Sequence, residues 1–392
     1  MMEVVVQRKH IWILKILMAG VIGFLICLSA HSADTAHAQT IKIKTPEDLH
    51  EINWKNKGFG PGNTYVIDND MTLGDSDEAT VLLTKGSFVI DFNGHTVQNA
   101  NNALGVFSLR GANVTFRDSK ASANKPSVRS YGAGAIDMSA GRLLIENGNY
   151  IGASNGTNNP CGLHVGGGTC VVNGGFLYGD FVGADCSNAT LYINGGKFQT
   201  SYMFALVDLG GANIKISKAS FISGTTTYGY QLALGAYEPN VAAYDFNRWL
   251  AQGSSFSDNF QTGYWNMQSS MLSTPAYGNY YAVSYNTPSL TVRSTVKSPA
   301  ATSISRIKAG KKQLKVTYKK KSGISGYQME LATDKAFKKS RKTFHINAKT
   351  TVKTVKKLKK KKKYFVRVRT YRNFNGTTLY SKWSAVKSKK TK

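Results

Sequence analysis

The chain has 392 residues and a formal net charge of +28, and this length is enough for two domains. Residues 300–392 hold 30 of the 50 lysines and arginines but 2 of the 22 acidic residues, so the preceding 299 residues are neutral and a domain boundary is expected near residue 299. The 4 cysteines form no CxxC pair, which argues against a structural zinc site or a disulfide framework. A single disulfide between Cys161 and Cys170 is kept as an alternative, and Cys186 is expected to fill the core.

Residues 1–38 have the pattern of a secretory signal. Basic residues at positions 8, 9 and 15 flank the apolar residues 16–30, and Ala36 and Ala38 provide the small residues of a cleavage site. The pattern predicts cleavage after Ala38 and a secreted, extracellular protein that keeps no membrane span. An uncleaved membrane anchor stays open as the alternative.

A short helix is expected directly after the cleavage site. Thr45 is placed to act as its N-cap and Pro46 as its first residue. Leu49 and Ile52, together with Trp54, would then cover the open end of the repeat array that follows, because such arrays need a cap.

The middle of the chain repeats. Four similar segments, each with an Asn-, Gly- or Lys-rich turn followed by an aromatic residue, begin at Ile145, Val171, Ile193 and Ile216. Looser copies begin at Phe92 and Phe116. No helical period intervenes, so βαβ units are excluded, and the spacing predicts a solenoid of stacked parallel strands over residues 60–235. The four residues should form one inward row, and Asn147, Asn173 and Asn194 should bond their own backbone or form a ladder.

These repeats resemble a known family. Residues 41–298, with the sequence DFNGHTV at 91–97 and the GGxF turns, are similar to pectate-lyase-like right-handed parallel β-helices of Gram-positive surface proteins. The resemblance implies an all-β fold for residues 39–298 and either carbohydrate binding or cleavage of acidic polysaccharide. The Asp-Asp and Gly-His-Gly motifs of polygalacturonase-like relatives are absent.

Polar residues recur on one strand of each predicted coil, at spacings of 27, 21 and 23 residues. They are Asp137, His164, Asp185 and Asp208, with Ser108 one coil earlier and Arg110 two residues beyond it. Strand alternation would turn these side chains to solvent, whereas neighbours such as Val207 and Leu209 would face the core. Stacked carboxylates repel by about 0.2–1 kcal/mol per pair unless a cation, His164 or a shared proton neutralises them.

Three interpretations of this column stay open: a catalytic site, a ligand or cation site without chemistry, and a solvated sheet face. Neighbouring Asp185 and Asp208 would be spaced as in glycosidases, or would bind calcium, the one cofactor considered. Lyases of similar fold use an arginine or lysine as base, and Arg110 is the basic residue placed for that role.

Residues 236–298 lose the repeat. A short helix from Phe246 and a strand through Phe256 are expected to close the far end of the solenoid.

Residues 299–392 alternate as short strands, which predicts a β-sandwich. Strands are expected at residues 313–319, 326–331, 364–371 and 380–386. Leu358 and Tyr364 with the alternation after them resemble the fibronectin type III signature, in which that tyrosine forms the tyrosine corner.

An unbroken lysine run lies in this second domain, at Lys359, Lys360, Lys361, Lys362 and Lys363. Behind a signal peptide a nucleic-acid partner is implausible, so we expect the lysines to hold an anionic cell-wall polymer or acidic glycan; simple solubility is the alternative. Two function classes follow. The first is a monomeric, wall-associated carbohydrate-binding protein, and the second is a secreted polysaccharide lyase or glycoside hydrolase. We favour the first, because no catalytic motif is complete.

Overall fold

The computed structural model describes residues 38–54, 62–74, 80–99, 105–154, 160–224, 230–236, 245–257, 261–266, 271–272, 280–285 and 289–392. The secretory signal predicted at residues 1–38 therefore lies outside the described residues, apart from Ala38. Within the described part, the helices are too short and too polar to span a bilayer.

The helix α1 (Pro46–Trp54) begins where the sequence predicts. The Asp48 amide donates to Thr45 Oγ1 at 3.2 Å, and the Thr45 amide donates back to Asp48 Oδ2 at 3.3 Å, so two unpaired amides are satisfied together. Leu49 and Ile52 are buried in the main core, the environment that the predicted role of a cap requires. The Trp54 side chain lies outside the described residues.

The first domain is a parallel β-helix with three faces. The first face contains β4 (Val81–Leu83), the first halves of β7 (Phe107–Arg117) and β9 (Ile136–Ile145), β11 (Cys161–Val165), β14 (Val182–Ser187), β17 (Phe204–Gly210) and β20 (Tyr230–Ala236). The second contains β1 (Thr40–Ile43), β2 (Asn63–Ile67), β5 (Ser87–Asp91), the second halves of β7 and β9, β12 (Thr169–Val172), β15 (Thr190–Ile193) and β18 (Asn213–Ile216). The third contains β3 (Met71–Leu73), β6 (Val97–Asn99), β8 (Val128–Tyr131), β10 (Asn149–Ala153), β13 (Phe176–Gly179), β16 (Lys197–Thr200) and β19 (Ala219–Ile222).

The end of the β-helix departs from the parallel pattern. A 3-10 helix, Phe246–Trp249, buries Phe246 and Trp249 in the main core and precedes β21 (Ser254–Phe256). Antiparallel strands extend two of the faces: β21 and β25 (Ser289–Ser294) beyond β19, and β22 (Gln261–Asn266), β23 (Met271–Leu272) and β24 (Tyr280–Tyr285) beyond β20. The helix and strand expected at Phe246 and Phe256 are both present.

The inward row of the repeat differs from the prediction by one residue in one coil. Ile145, Val172, Ile193 and Ile216 are in register, so Val172 occupies the place assigned to Val171. The same slip puts Leu177, not Phe176, beside the core aromatics Tyr150 and Phe198. Phe176 turns outward, where the Lys197 ammonium lies 5.0 Å from the centre of its ring.

The disulfide between Cys161 and Cys170, which the sequence left as an alternative, does not form among the described cysteines. Cys161, Cys170 and Cys186 are all free thiols, Cys170 and Cys186 being fully buried in the main core. Burial raises the pKa of Cys186 to about 12, so it is an inert apolar filler, as predicted.

The second domain is a β-sandwich of the fibronectin type III kind. One sheet contains β26 (Ile304–Gly310), β27 (Gln313–Tyr318) and β30 (Val352–Val355); the other contains β28 (Gly326–Ala332), β29 (Lys342–Asn347), β31 (Lys363–Phe374), β32 (Thr377–Tyr380) and β33 (Lys387–Lys390). The Tyr364 hydroxyl accepts from the Lys359 amide at 3.1 Å, as a tyrosine corner requires.

The strand predicted at residues 380–386 is wrong, because β32 ends at Tyr380. Beyond it, the hydroxyls of Ser381 and Ser384 accept from the amides of Thr370 and Val368, at 3.1 and 3.0 Å. Serine side chains thus take over the role of strand carbonyls along β31.

The sandwich is docked onto the second face of the β-helix through the turn between β31 and β32. Asn375 and Gly376 form this turn, both with positive φ. The Asn375 side-chain amide donates to Asn194 Oδ1 at 2.8 Å and to the Lys215 carbonyl at 3.0 Å, and Asn194 Nδ2 donates to the Asn375 carbonyl at 2.9 Å. Arg142 Nη2 donates to the Gly376 carbonyl at 2.7 Å.

The predicted asparagine ladder is therefore partly an interdomain contact. Asn194 Nδ2 donates to Asn173 Oδ1 at 3.0 Å, which makes a ladder of these two residues. Asn147 is not part of it and instead bonds the backbone of Asp118.

Candidate functional site

Four of the predicted polar residues lie in register on adjacent strands of the first face. Ser108 on β7 pairs with Asp137 on β9, and Asp137 pairs in turn with His164 on β11. His164 then pairs with Asp185 on β14. Parallel strands lie about 4.8 Å apart, so these side chains form a continuous row across β7, β9, β11 and β14. We call Ser108, Asp137, His164 and Asp185 the polar row.

His164 lies between two carboxylates. Its Nδ1 donates a short hydrogen bond to Asp185 Oδ1, and its Nε2 lies 3.8 Å from Asp137 Oδ1. The side chains of His164 and Asp137 are 37% and 40% exposed, whereas that of Asp185 is 10% exposed. The row therefore opens to solvent at His164 and Asp137.

The hydrogen bond that His164 donates to Asp185 is the largest cause that raises the pKa of His164 above its ordinary value. The charges of Asp185 and Asp137 act in the same direction, and burial opposes them. The raised pKa favours the protonated imidazole, whose charge can neutralise the two stacked acids, one of the three solutions expected from the sequence.

Cys161 is part of this site, although sequence alternation did not suggest it. Burial is the main cause that raises the pKa of its thiol, followed by the charge of Asp185 and a hydrogen bond to it, and by the charge of Asp137. Gly162 and Leu163 are both buried, so the strict alternation assumed for β11 breaks, and Cys161 packs with the outer cluster that contains Val182. The thiol is therefore protonated at neutral pH and is no nucleophile.

The assignment of Asp208 to the column is wrong. Asp185 is paired with Val207, and Asp208 is paired with the core residue Cys186. The Asp208 carboxylate accepts from the amides of Gly210 and Ala212, at 2.8 and 3.3 Å, next to a register shift between β14 and β17. Burial raises its pKa, and its bonds show that Asp208 shapes this turn.

The same shift overturns the expected orientation of the neighbours of Asp208. Leu209 is 39% exposed, and Leu206 takes its place in the main core. Val207 is buried, but in a separate cluster outside the solenoid core, with Val182, Phe204 and Tyr230. The polar row therefore ends against an apolar cluster at β17.

Arg110 lies at the other end of the polar row. Its Nε donates to Ser108 Oγ at 3.3 Å, and Ser108 is 4% exposed. Arg110 is opposite Ala140 rather than opposite an acid of the row, because the register between β7 and β9 shifts at this point. The guanidinium is exposed and can reach a ligand that lies along the row.

The proposed calcium pair does not form. Asp185 is bonded to His164 and Asp208 to its own turn, so the two carboxylates do not share a site. In the part of the chain that the structure describes, no three His, Cys, Asp or Glu side chains are arranged to hold a metal ion.

A second candidate site lies at one end of the sandwich. The exposed lysines there are Lys311, Lys312, Lys356, Lys357, Lys359, Lys360, Lys361, Lys362, Lys363, Lys389, Lys390 and Lys392, which we call the lysine pole. Backbone bonds gather them: the Lys312 amide donates to the Lys392 carbonyl, the Thr391 amide to the Lys362 carbonyl, and β31 pairs with β33 at Lys363 and Lys390. The lysine run predicted as a polyanion site is thus one part of a larger surface.

Among the residues that the structure describes, the acids of the sandwich are occupied by partners outside the lysine pole. The sandwich carries two acids, and Glu330 is bonded to Arg367 at 2.6 Å while Asp334 accepts from the amides of Lys338 and Lys339. Within the described residues, no ion pair involves a lysine of the pole. The sequence showed the lysine run, but the β26–β27 turn and the C-terminal strand join it only through the fold.

No protein-family model matches the sequence, and no curated protein matches it. Among solved structures, a β-1,2-glucanase from Parabacteroides distasonis is 17% identical over 30% of this chain and 16% of the glucanase, with a TM-score of 0.20. An Fn3-like protein from Clostridium thermocellum is 19% identical over 23% of this chain and 92% of that protein, with a TM-score of 0.18. The FN1–FN3 domains of chicken CNTN1 are 16% identical over 36% of this chain and 54% of theirs, with a TM-score of 0.21. The chain spans about a sixth of the glucanase, and at these scores none of the three informs on activity.

Proposed function

We propose that this chain is a secreted, cell-surface carbohydrate-binding protein whose sandwich retains it on anionic polymers through the lysine pole. The observation that carries the proposal is the gathering of exposed, unneutralised lysines at one end of the sandwich. Such a surface attracts a polyanion at long range and gains free energy from released counterions. The signal pattern at residues 1–38 supports a location outside the cell.

The position of the lysine pole supports the same proposal. β31 runs for 12 residues from Lys363 at the pole to Phe374 beside the docking turn, a distance of roughly 35–40 Å. The sandwich therefore contacts the β-helix at one end and offers its lysines at the other. A polymer bound at the pole leaves the polar row on the β-helix open to a glycan.

The test is binding of the mature chain to immobilised heparin and to wall polymer over a range of salt concentrations. We expect affinity to fall as salt rises, and replacement of Lys359 to Lys363 by glutamine to lower the slope of log K against log salt by roughly one for each lost contact.

A matched control variant replaces five exposed lysines outside the pole with glutamine: Lys315, Lys319, Lys320, Lys349 and Lys382. The net charge changes equally, so a surface-specific site predicts near wild-type binding for this control. Equal losses in the two variants would show that only total charge matters and would refute the assignment to the pole.

The polar row supports a second candidate function, cleavage of an acidic glycan. His164 is exposed between two carboxylates, so it can donate a proton to a bound sugar when its ring is protonated and accept one when the ring is neutral, with Arg110 nearby. Incubation with acidic polysaccharides, monitored by absorbance of unsaturated products and by a reducing-end assay, tests it. Turnover that disappears in Asp137→Asn would establish catalysis, and no product from any polysaccharide would reject it.

A further inference from the structure

A cavity of about 660 Å³ lies between the two domains. Gln252 and Thr295 line it from the β-helix, Lys297 and Ser298 from the linker, and Arg372 and Phe374 from β31. Its volume is within the range of small-molecule sites, and such sites occur preferentially at domain interfaces.

Arg372 is the distinctive residue of this cavity. Its Nη2 donates to the Lys297 carbonyl at 2.9 Å, which fixes the guanidinium across the domain boundary. Its Nε is buried and has no hydrogen-bond partner. A buried, unpaired donor on a charged group is costly and rare, and a ligand oxygen at this position would satisfy it.

The charges of the lining select the ligand. Arg372 and Lys297 are cationic, and no acidic residue lines the cavity. The remaining polar groups are the hydroxyls and amides of Thr295, Ser298 and Gln252, which suit the hydroxyls of a sugar, and Phe374 offers an aromatic ring.

We propose that this interdomain cavity binds an anionic sugar, with its oxyanion on Arg372 and Lys297. The proposal rests on the proposed function only in the choice of an acidic glycan as ligand, and it does not involve the lysine pole. It would give the protein a selective contact to a single sugar unit in addition to the sequence-independent attraction of the pole.

The test is calorimetric titration of the mature chain with three probes: digalacturonate, its neutral methyl ester, and glucose 6-phosphate. We expect at least one of the two anionic sugars to bind. The methyl ester should bind at least about tenfold more weakly than digalacturonate, because it loses the charge-assisted hydrogen bonds. The two anionic probes distinguish a carboxylate ligand from a phosphate ligand.

Three variants locate the site. Arg372→Gln should weaken binding roughly tenfold or more, Lys297→Gln should weaken it less because that side chain is exposed, and Ser322→Trp should block the cavity from an exposed lining position that makes no side-chain bond. Replacement of Lys359 to Lys363 by glutamine should leave digalacturonate binding unchanged, and Arg372→Gln should leave heparin binding unchanged. The proposal is overturned if neither anionic sugar binds, if the ester binds as tightly, or if Arg372→Gln and Ser322→Trp both bind like the wild type.

Discussion

His164 explains how two aspartates can stand on the same sheet face. Asp137 and Asp185 are separated by one strand, and the imidazole between them bonds one and lies 3.8 Å from the other. Like charges stacked on a sheet are unfavourable, so the proton on His164 stabilises the folded arrangement. The polar row is thus an acid–base unit whose charge depends on pH.

His164→Gln should reduce stability more at about pH 5.5 than at about pH 8.5. The folded-state pKa of His164 is raised, so its protonated form adds stability that is fully present below the unfolded-state value of about 6.5 and is lost as pH rises through the folded-state value. Because the side chain is 37% exposed, solvent screening should limit the difference to about 1 kcal/mol or less. Urea denaturation at the two pH values measures it.

Asp185→Asn is the companion variant, since it removes the main cause of the raised pKa. It should flatten the pH dependence of stability as His164→Gln does, and the double variant should add little further change. An identical cost of His164→Gln at both pH values would contradict a charged His164.

Asp208→Ala should destabilise the β-helix without affecting any ligand. The two amides that Asp208 accepts from, those of Gly210 and Ala212, would lose their partner, at a cost of about 1–3 kcal/mol. Asp208→Asn keeps one carbonyl oxygen and should cost less. Thermal unfolding measures both, and a loss of glycan binding at wild-type stability would show that Asp208 acts at the site after all.

At the scale of elements, the sequence predicts strands well and their register less well. The repeat that begins at Ile145 correctly located the coils, but the coils differ slightly in length, and matching the segments by their first residues placed Val171 where Val172 belongs. A slip of one residue turns a side chain to the opposite face, as Phe176 shows. The register shift beside Asp208 removed this residue from the predicted column for the same reason. A local change in the pairing of two strands cannot be recognised from the spacing of the repeats in the sequence.

The docking turn was outside the reach of sequence patterns altogether. An Asn-Gly pair predicts a tight hairpin at residues 375–376, but the partner of that hairpin, Asn194, lies 181 residues away in the chain. The local sequence around an asparagine does not show whether its side chain bonds the next coil of the solenoid or a residue of the other domain.

Gly376→Ala should separate the two domains. A Cβ at Gly376 would lie 2.3 Å from Cδ2 of Tyr192 on the β-helix, in addition to the backbone strain of φ +72°. Gly323→Ala is a matched control in the same sandwich, since its φ is +66° and nothing lies within 4 Å of the added Cβ. Backbone strain should lower the free energy of unfolding of both variants by about 1–2 kcal/mol, but only Gly376→Ala should increase the radius of gyration in X-ray scattering. An unchanged radius in Gly376→Ala would mean that the turn does not hold the domains together.

At the scale of the molecule, two kinds of contact act at opposite ends of the sandwich. The docking turn is held by amide and carbonyl hydrogen bonds, with Arg142 as a charged donor. The lysine pole offers mainly exposed positive charge, and within the described residues none of its lysines forms an ion pair. Since salt screens exposed charges and leaves short neutral hydrogen bonds nearly unaffected, the two ends should respond differently to ionic strength.

The last prediction follows from this difference: high salt should release the protein from a polyanion but leave its two domains docked. At about 1 M NaCl the screening length is about 3 Å, so the attraction of the lysine pole for heparin should be lost, whereas the bonds of Asn375 to Asn194 and Lys215 should persist. X-ray scattering of the mature chain should therefore give the same radius of gyration at about 0.1 M and about 1 M NaCl, while the heparin-bound fraction falls to near zero. Gly376→Ala supplies the scattering curve of separated domains for comparison. An expansion of the wild type toward that curve at high salt would show that charge, and not the asparagine contacts, holds the sandwich on the β-helix.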